Sequence, residues 1–199
     1  NPIVILIDFV NYKHRINEIK RELWDWYKVD SLRAPADYDE PIVWAYTVGM
    51  LIEKLASCFY DKKIVAHFHE WLSGVGLLYL KKKNVKIANV FTTHATVIGR
   101  TLASSNVDLY NVWDKINPDQ EVYKYNIEAK HLVEKNSAAF AARRRQAADT
   151  SRAGDRAPQD CATLLQCRQL YGPLQERANV NRAAIPHGRH FAASFRADL

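Results

Sequence analysis

The sequence predicts an α/β fold built on a doubly wound parallel sheet and followed by an irregular tail. Three observations carry this. Short apolar, β-branched runs at residues 3–10, 64–68 and 85–91 alternate with longer stretches of helical periodicity, a pattern of parallel strands joined by helical crossovers. The runs lack in–out alternation, as expected of strands buried on both faces. Near residue 139 the pattern stops, and later apolar fragments such as Leu164-Leu165 build no sustained face.

The elements follow in order. Ile3 to Val10 is apolar except for Asp8 and reads as a buried strand that starts almost without a lead-in. Asn11 to Val29 reads as a helix, because Ile16, Ile19, Leu23 and Trp26 recur at three- and four-residue steps. Ser31 to Glu40 is a polar loop, and Pro41 suits a first helical turn. From Ile42 to Phe59 apolar residues come nearly all round, which predicts a core helix. Asp61-Lys62-Lys63 is a turn, Ile64 to Phe68 a strand and Trp71 to Lys82 a helix. Gly74 and Gly76 weaken that helix by roughly 1 kcal/mol each and are expected where it packs close to a neighbour. Lys81-Lys82-Lys83 suits the negative end of its macrodipole. Val85 to Phe91 is a further strand, Ala95 to Ala103 a helix, and Pro118 opens a last helix to about Asn136.

Charge divides the chain at the same point. Residues 1–139 carry 18 Lys and Arg against 17 Asp and Glu; residues 140–199 carry 10 against 5. The net charge of +6 therefore sits mostly in the tail, which argues against a nucleic-acid partner for the ordered part. All 14 lysines precede residue 140, whereas the tail has 10 arginines and no lysine, a switch that folding does not demand. Two domains are expected: 1–139, and a disordered or non-native tail at 140–199. Three cysteines (Cys58, Cys161, Cys167) make no disulfide framework and fit a reducing cytosol. The first residues lack the basic region of a signal peptide, and no apolar stretch nears the about 20 residues that span a bilayer. A cytoplasmic protein without membrane contact is expected.

Chemistry-bearing residues gather where two strands end. Ligands of open α/β sheets bind outside the carboxyl ends of the strands. The ends at Ile64–Glu70 and Val90–Arg100 would place His67, His69, Glu70, His94 and Arg100 along one rim. His67 and His69 alternate and so share a face. With Glu70 they suggest a metal site, but the spacing shows neither three clustered ligands nor an open position, so neither metal nor cofactor is expected. His94 and Arg100 are six residues apart and converge only if His94 lies in a loop before the helix.

Several stretches along residues 3–138 closely resemble glycogen synthases of the fungal and animal type: "HFHEWLSG", "VFTTHAT", "IGR", "NVDLYN" and "EAKHLVEKNSA". The resemblance implies one Rossmann-like lobe of a two-lobed GT-B glycosyltransferase. It implies transfer of glucose from a nucleotide sugar, UDP-glucose, to the non-reducing end of an α-1,4-glucan with retention and without metal. It assigns His94 and Arg100 to the nucleotide sugar, with His94 touching the reacting glucose, and places His69 and Glu70 in the same cleft. The chemistry is consistent, since the arginine fork matches phosphate oxygens, helix N-termini attract them, and a histidine can donate to a hydroxyl or to developing charge. The family's Gly-rich nucleotide loop and its second lobe, with the paired glutamates, have no counterpart here. The chain is therefore expected to be a fragment, inactive alone, with oligomers possible in the full-length enzyme. The rival expectation is a non-catalytic α/β module that binds glucan, sugar nucleotide or a protein partner.

Overall fold

Apolar residues three and four apart fold residues 16–27 into helix α1 (Ile16–Tyr27), which buries Ile19 and Leu23. It ends where Lys28 turns left-handed (φ 56°), so that the Lys28 and Val29 amides reach back to Trp24 and Leu23 carbonyls. The computed structural model describes residues 3–112, 114–149 and 194–197. Cys161, Cys167 and most of the expected tail lie outside the described residues.

Helix α2 (Asp39–Cys58) is the predicted core helix, with Pro41 to Gly49 all buried and Asp39 and Glu40 in its positively polarised first turn. Strand β1 (Ile64–His69), helix α3 (Glu70–Lys82) and strand β2 (Ala88–Thr92) form a β–α–β unit whose strands pair in parallel. On β1, Ile64, Ala66 and Phe68 face the core, and each large apolar side chain buried this way contributes about 1.5–3 kcal/mol. Helix α3 packs along α2, and Gly74 and Gly76 allow the approach predicted for them. A Cβ on Gly76 would lie 2.8 Å from Phe68 and 2.9 Å from the Ala45 carbonyl. One on Gly74 would lie 2.6 Å from the Ser137 hydroxyl and 2.9 Å from Val133.

After β2 come α4 (Val97–Ser104), the short α5 (Leu109–Val112) and α6 (Pro118–Glu121), and then α7 (Glu128–Asp149). Val97, Ile98, Leu102, Val122 and Ile127 make a second, smaller core, and Trp71 packs against both cores. Asp119 clamps the connecting segment to α7, meeting His131 Nε2 at 2.9 Å and Lys135 Nζ at 2.5 Å. Lys135 and His131 together hold its carboxyl below the usual carboxylate range. Among the described residues no helix is long and apolar enough to cross a membrane.

The structure corrects three expectations. Residues 3–9 form no strand, and Ile3 and Leu6 are 86% and 89% exposed. A strand exists only through its partners, and the edge of β1 is occupied instead by β3 (Ser194–Ala197), running antiparallel. The sheet is therefore mixed, in the order β2-β1-β3, rather than wholly parallel, and four residues of the expected irregular tail belong to it. The single helix expected over 118–136 is broken at Asn126, which is left-handed (φ 53°) and lets the Ile127 amide close on the Val122 carbonyl. Helix α7 then runs without interruption past residue 139 to Asp149.

The close approach of α3 to α7 makes a definite claim. Gly74→Ala should destabilise the chain by up to about 2 kcal/mol, because Val133 and Ser137, both on the packed helix α7, must move to admit a methyl group, at a cost of about 1–3 kcal/mol that exceeds the roughly 1 kcal/mol regained in helix propensity. Urea unfolding checks it; a midpoint above that of the parent would show that the contact yields without cost.

Candidate active site at the ends of β1 and β2

The register of the parallel pair sets His67 against Val90 and His69 against Thr92, so both strands end at the same level. His67 and His69 share the face opposite the core, with ring centroids 4.0 Å apart. His67 Nε2 lies 2.8 Å from the Thr92 hydroxyl. The chain leaves β2 in a loop, Thr93 to Thr96, and His94 sits in that loop before α4, the condition for it to approach Arg100. The His94 ring stacks parallel to His69 at 5.7 Å, with His69 Nδ1 3.4 Å from His94 Nε2. At that separation one ring nitrogen donates and the other accepts, as the tautomers allow.

Glu70 stands at the turn from β1 into α3 with φ 60°, a left-handed conformation that costs a side-chain-bearing residue roughly 1–2 kcal/mol. Three contacts hold the turn. The Ser73 hydroxyl donates to the His69 carbonyl at 2.6 Å. Glu70 Oε1 accepts the His94 backbone N–H at 2.8 Å, and Glu70 Oε2 lies 3.3 Å from the Thr93 hydroxyl. Strain of this kind persists only where the surroundings over-determine it, and such positions cluster at functional sites.

Beside this turn lies a cleft of about 290 Å³ lined by Glu70, Trp71, Val97, Arg100, Thr101 and Lys130 among others. Arg100 is exposed on α4, and Lys130 Nζ lies 5.1 Å from the Trp71 ring centroid, over the indole face. Trp71 in turn stacks on Tyr38 with rings 6.0 Å apart and nearly parallel. Glu70 joins the two parts of the site, touching the His94 loop and lining the cleft. An anion entering the cleft would meet Arg100, the Glu70 carboxylate and a Lys130 that is already paired with Asp37 at 2.8 Å. Among the described residues no group of three His, Cys, Asp or Glu is arranged to hold a metal ion.

One expected contributor is committed elsewhere. Two of the first-turn amides of α4 are taken by side chains of the protein itself. Thr96 caps the Gly99 N–H at 3.1 Å, and Glu134 Oε2 takes the Val97 N–H at 2.9 Å. Glu134, on α7, and Lys130 were not singled out from sequence. A signal for Glu134 existed: it falls on the inward stripe of Ile127, His131 and Val133, where a charge needs a reason.

Burial, then the neighbouring His69 and His94 rings, hold the His67 imidazole below its ordinary range. The folded protein thus binds this proton less readily than the unfolded chain. The stabilisation linked to His67 is present above an ordinary imidazole pKa of about 6.5 and is lost as pH falls through the lower folded value. Between pH 7.5 and 5, the parent should lose more stability than His67→Gln in denaturant titrations; equal losses would contradict the assignment.

Comparison with known proteins converges on the same stretch. The family model described as glycogen synthase matches residues 1–145. The chain is 40% identical over 140 residues to the glycogen [starch] synthase of Dictyostelium discoideum, covering 69% of this chain and 15% of that protein. It is 35% identical over 138 residues to glycogen [starch] synthase isoform 2 of Saccharomyces cerevisiae, covering 69% and 20%. Identity to the Caenorhabditis elegans enzyme of the same name is 34% over 136 residues, covering 67% and 20%. The chain thus spans a fifth or less of the length of these relatives. The matched span holds every residue of the rim and all the described helices up to Arg145, and on that ground the chain belongs to the glycogen synthase family.

Proposed function

We propose that this chain supplies one wall of the donor site of a retaining glucosyltransferase, which moves glucose from a nucleotide sugar, UDP-glucose, to the non-reducing end of an α-1,4-glucan. The β1–α3–β2 unit is then part of a doubly wound GT-B lobe that faces a second lobe across the cleft. The observation that carries the reading is Glu70, which holds the backbone of the exposed His94 in the loop after β2 and also lines the neighbouring cleft with Arg100 and Lys130. Arg100 offers a planar fork of N–H donors to the diphosphate as leaving-group charge builds. Lys130 adds a point charge in the cleft. His94 donates to a sugar hydroxyl or to developing charge, and Glu70 and His69 hold its backbone and ring. No step here routes through a metal. A cytoplasmic location and possible oligomers in the full-length enzyme belong to the same proposal.

Residues 140–199 are proposed as foreign or out-of-frame sequence on their composition, the lysine-to-arginine switch falling within α7. Reading the encoding DNA in all frames across residue 140 tests this. Continuation of family-like sequence in a second frame is expected; its absence leaves a native tail.

The reading is tested in a chimera in which residues 1–145 replace the matching segment of the Dictyostelium relative. His94→Ala and Arg100→Ala should each lower incorporation of labelled glucose into glycogen by about 10²–10³-fold. Arg100→Lys should restore only part of it. The 199-residue chain alone should transfer nothing, because one wall cannot hold donor and acceptor in attacking geometry. Full rates in both alanine variants would remove the pair from the site. A folded but inactive chimera would favour a binding module instead.

A further inference from the structure

The Thr93–Thr96 loop is short, carries the exposed His94, and is anchored from outside its own strand and helix. Its strongest anchor is the carboxyl of Glu134, 5% exposed on α7. Glu134 Oε1 lies 2.7 Å from the Thr93 hydroxyl just before His94, and Oε2 accepts the Val97 N–H at 2.9 Å just after the loop. One side chain from a distant helix therefore grips both ends of the loop. Glu70 holds its middle through the His94 N–H.

The proton count constrains how the grip works. The Thr93 hydroxyl has one hydrogen and stands between two carboxyls, Glu134 at 2.7 Å and Glu70 at 3.3 Å. If Glu134 is protonated on Oε1, its O–H donates to Thr93, and Thr93 donates onward to Glu70. Every polar atom is then served while Oε2 still receives the Val97 N–H. Burial, with the negative charge of Glu70, pushes the Glu134 carboxyl up, in the same direction. A glutamine reproduces this pattern: its amide donates to Thr93 and its carbonyl accepts from Val97.

We propose that Glu134 is a positioning residue that sets the conformation of the His94 loop through two hydrogen bonds rather than through negative charge. It touches no substrate; it acts on the reaction only through His94, and that role rests on the donor-site reading above.

Amide exchange in the 199-residue chain is the direct test, because it reads the loop without any assay of activity. Glu134→Ala should quicken exchange at Val97 and His94 about tenfold, with β1 and α2 core amides such as Phe68 and Ile52 unchanged. Glu134→Gln should return both to near parent protection. Uniform acceleration across the chain, unchanged exchange at Val97 and His94, or a glutamine variant as fast as alanine would each overturn the proposal. Should Glu134→Ala fail to fold, Thr93→Val takes its place and should quicken exchange at His94; no change there has the same force. In the chimera, Glu134→Ala should lower kcat roughly a hundredfold, and glutamine should recover most of that loss. Loss of loop protection with full transfer, in a chimera that His94→Ala disables, would overturn the positioning role. If His94→Ala is silent as well, the donor-site reading has failed, while the exchange data alone judge the grip of Glu134 on the loop.

Discussion

The parallel register of β1 on β2 is the constraint from which the site follows. Side chains alternate along a strand, so burying Ile64, Ala66 and Phe68 on one face leaves His67 and His69 on the other. A slip of one residue would exchange the two sets and lose the burial of Phe68, which is 1% exposed and lies against Gly76. The apolar core therefore decides where the histidines stand. The same register brings the carboxyl end of β2 level with that of β1, so the loop that follows can lay His94 on His69.

Electrostatics within the rim are arranged at short range. Two carboxyls, Glu70 and Glu134, meet at one threonine hydroxyl, and each also accepts one backbone N–H of the His94 loop or of α4. Hydrogen bonds to a charged acceptor are worth about 1.5–3 kcal/mol, against a desolvation cost of several kcal/mol for a buried carboxylate. For Glu134 burial outweighs the hydrogen bonds and holds the carboxyl above its ordinary range, whereas Glu70 lines the cleft beside Arg100 and Lys130. Glu134 takes one amide at the α4 N-terminus, and the cations that line the cleft are the side chains of Arg100 and Lys130.

Support for the rim comes from distant parts of the chain. Helix α7 holds the loop through Glu134, lines the cleft through Lys130 and packs on α3 where Gly74 makes room for Ser137. Its start is fixed by the Asp119 clamp and by the left-handed Asn126. Lys130 also pairs with Asp37 at 2.8 Å, a link across 93 residues that ties the α1–α2 connection to the cleft. The lysine side chain is only 12% exposed while Asp37 is half exposed, and the pair fixes where the ammonium stands.

Periodicity and residue type were enough to locate the core helix α2, the β1–α3–β2 unit, the close-packing role of Gly74 and Gly76, and the gathering of His67, His69, Glu70 and His94 at one end of two strands. These are local properties: hydrophobic spacing selects the element, and a parallel crossover aligns strand ends. Tertiary structure decided the rest. The apolar residues 3–9 carry a strand's composition, but a strand requires a hydrogen-bonded neighbour, and β1 pairs elsewhere. The break at Asn126 depends on one backbone torsion that spacing does not encode. Glu134 sits 40 residues after His94, so its grip on the loop exists only once α7 has packed across the ends of the strands. A buried carboxyl declares its role by the partners that folding brings to it, and sequence neighbours do not name them.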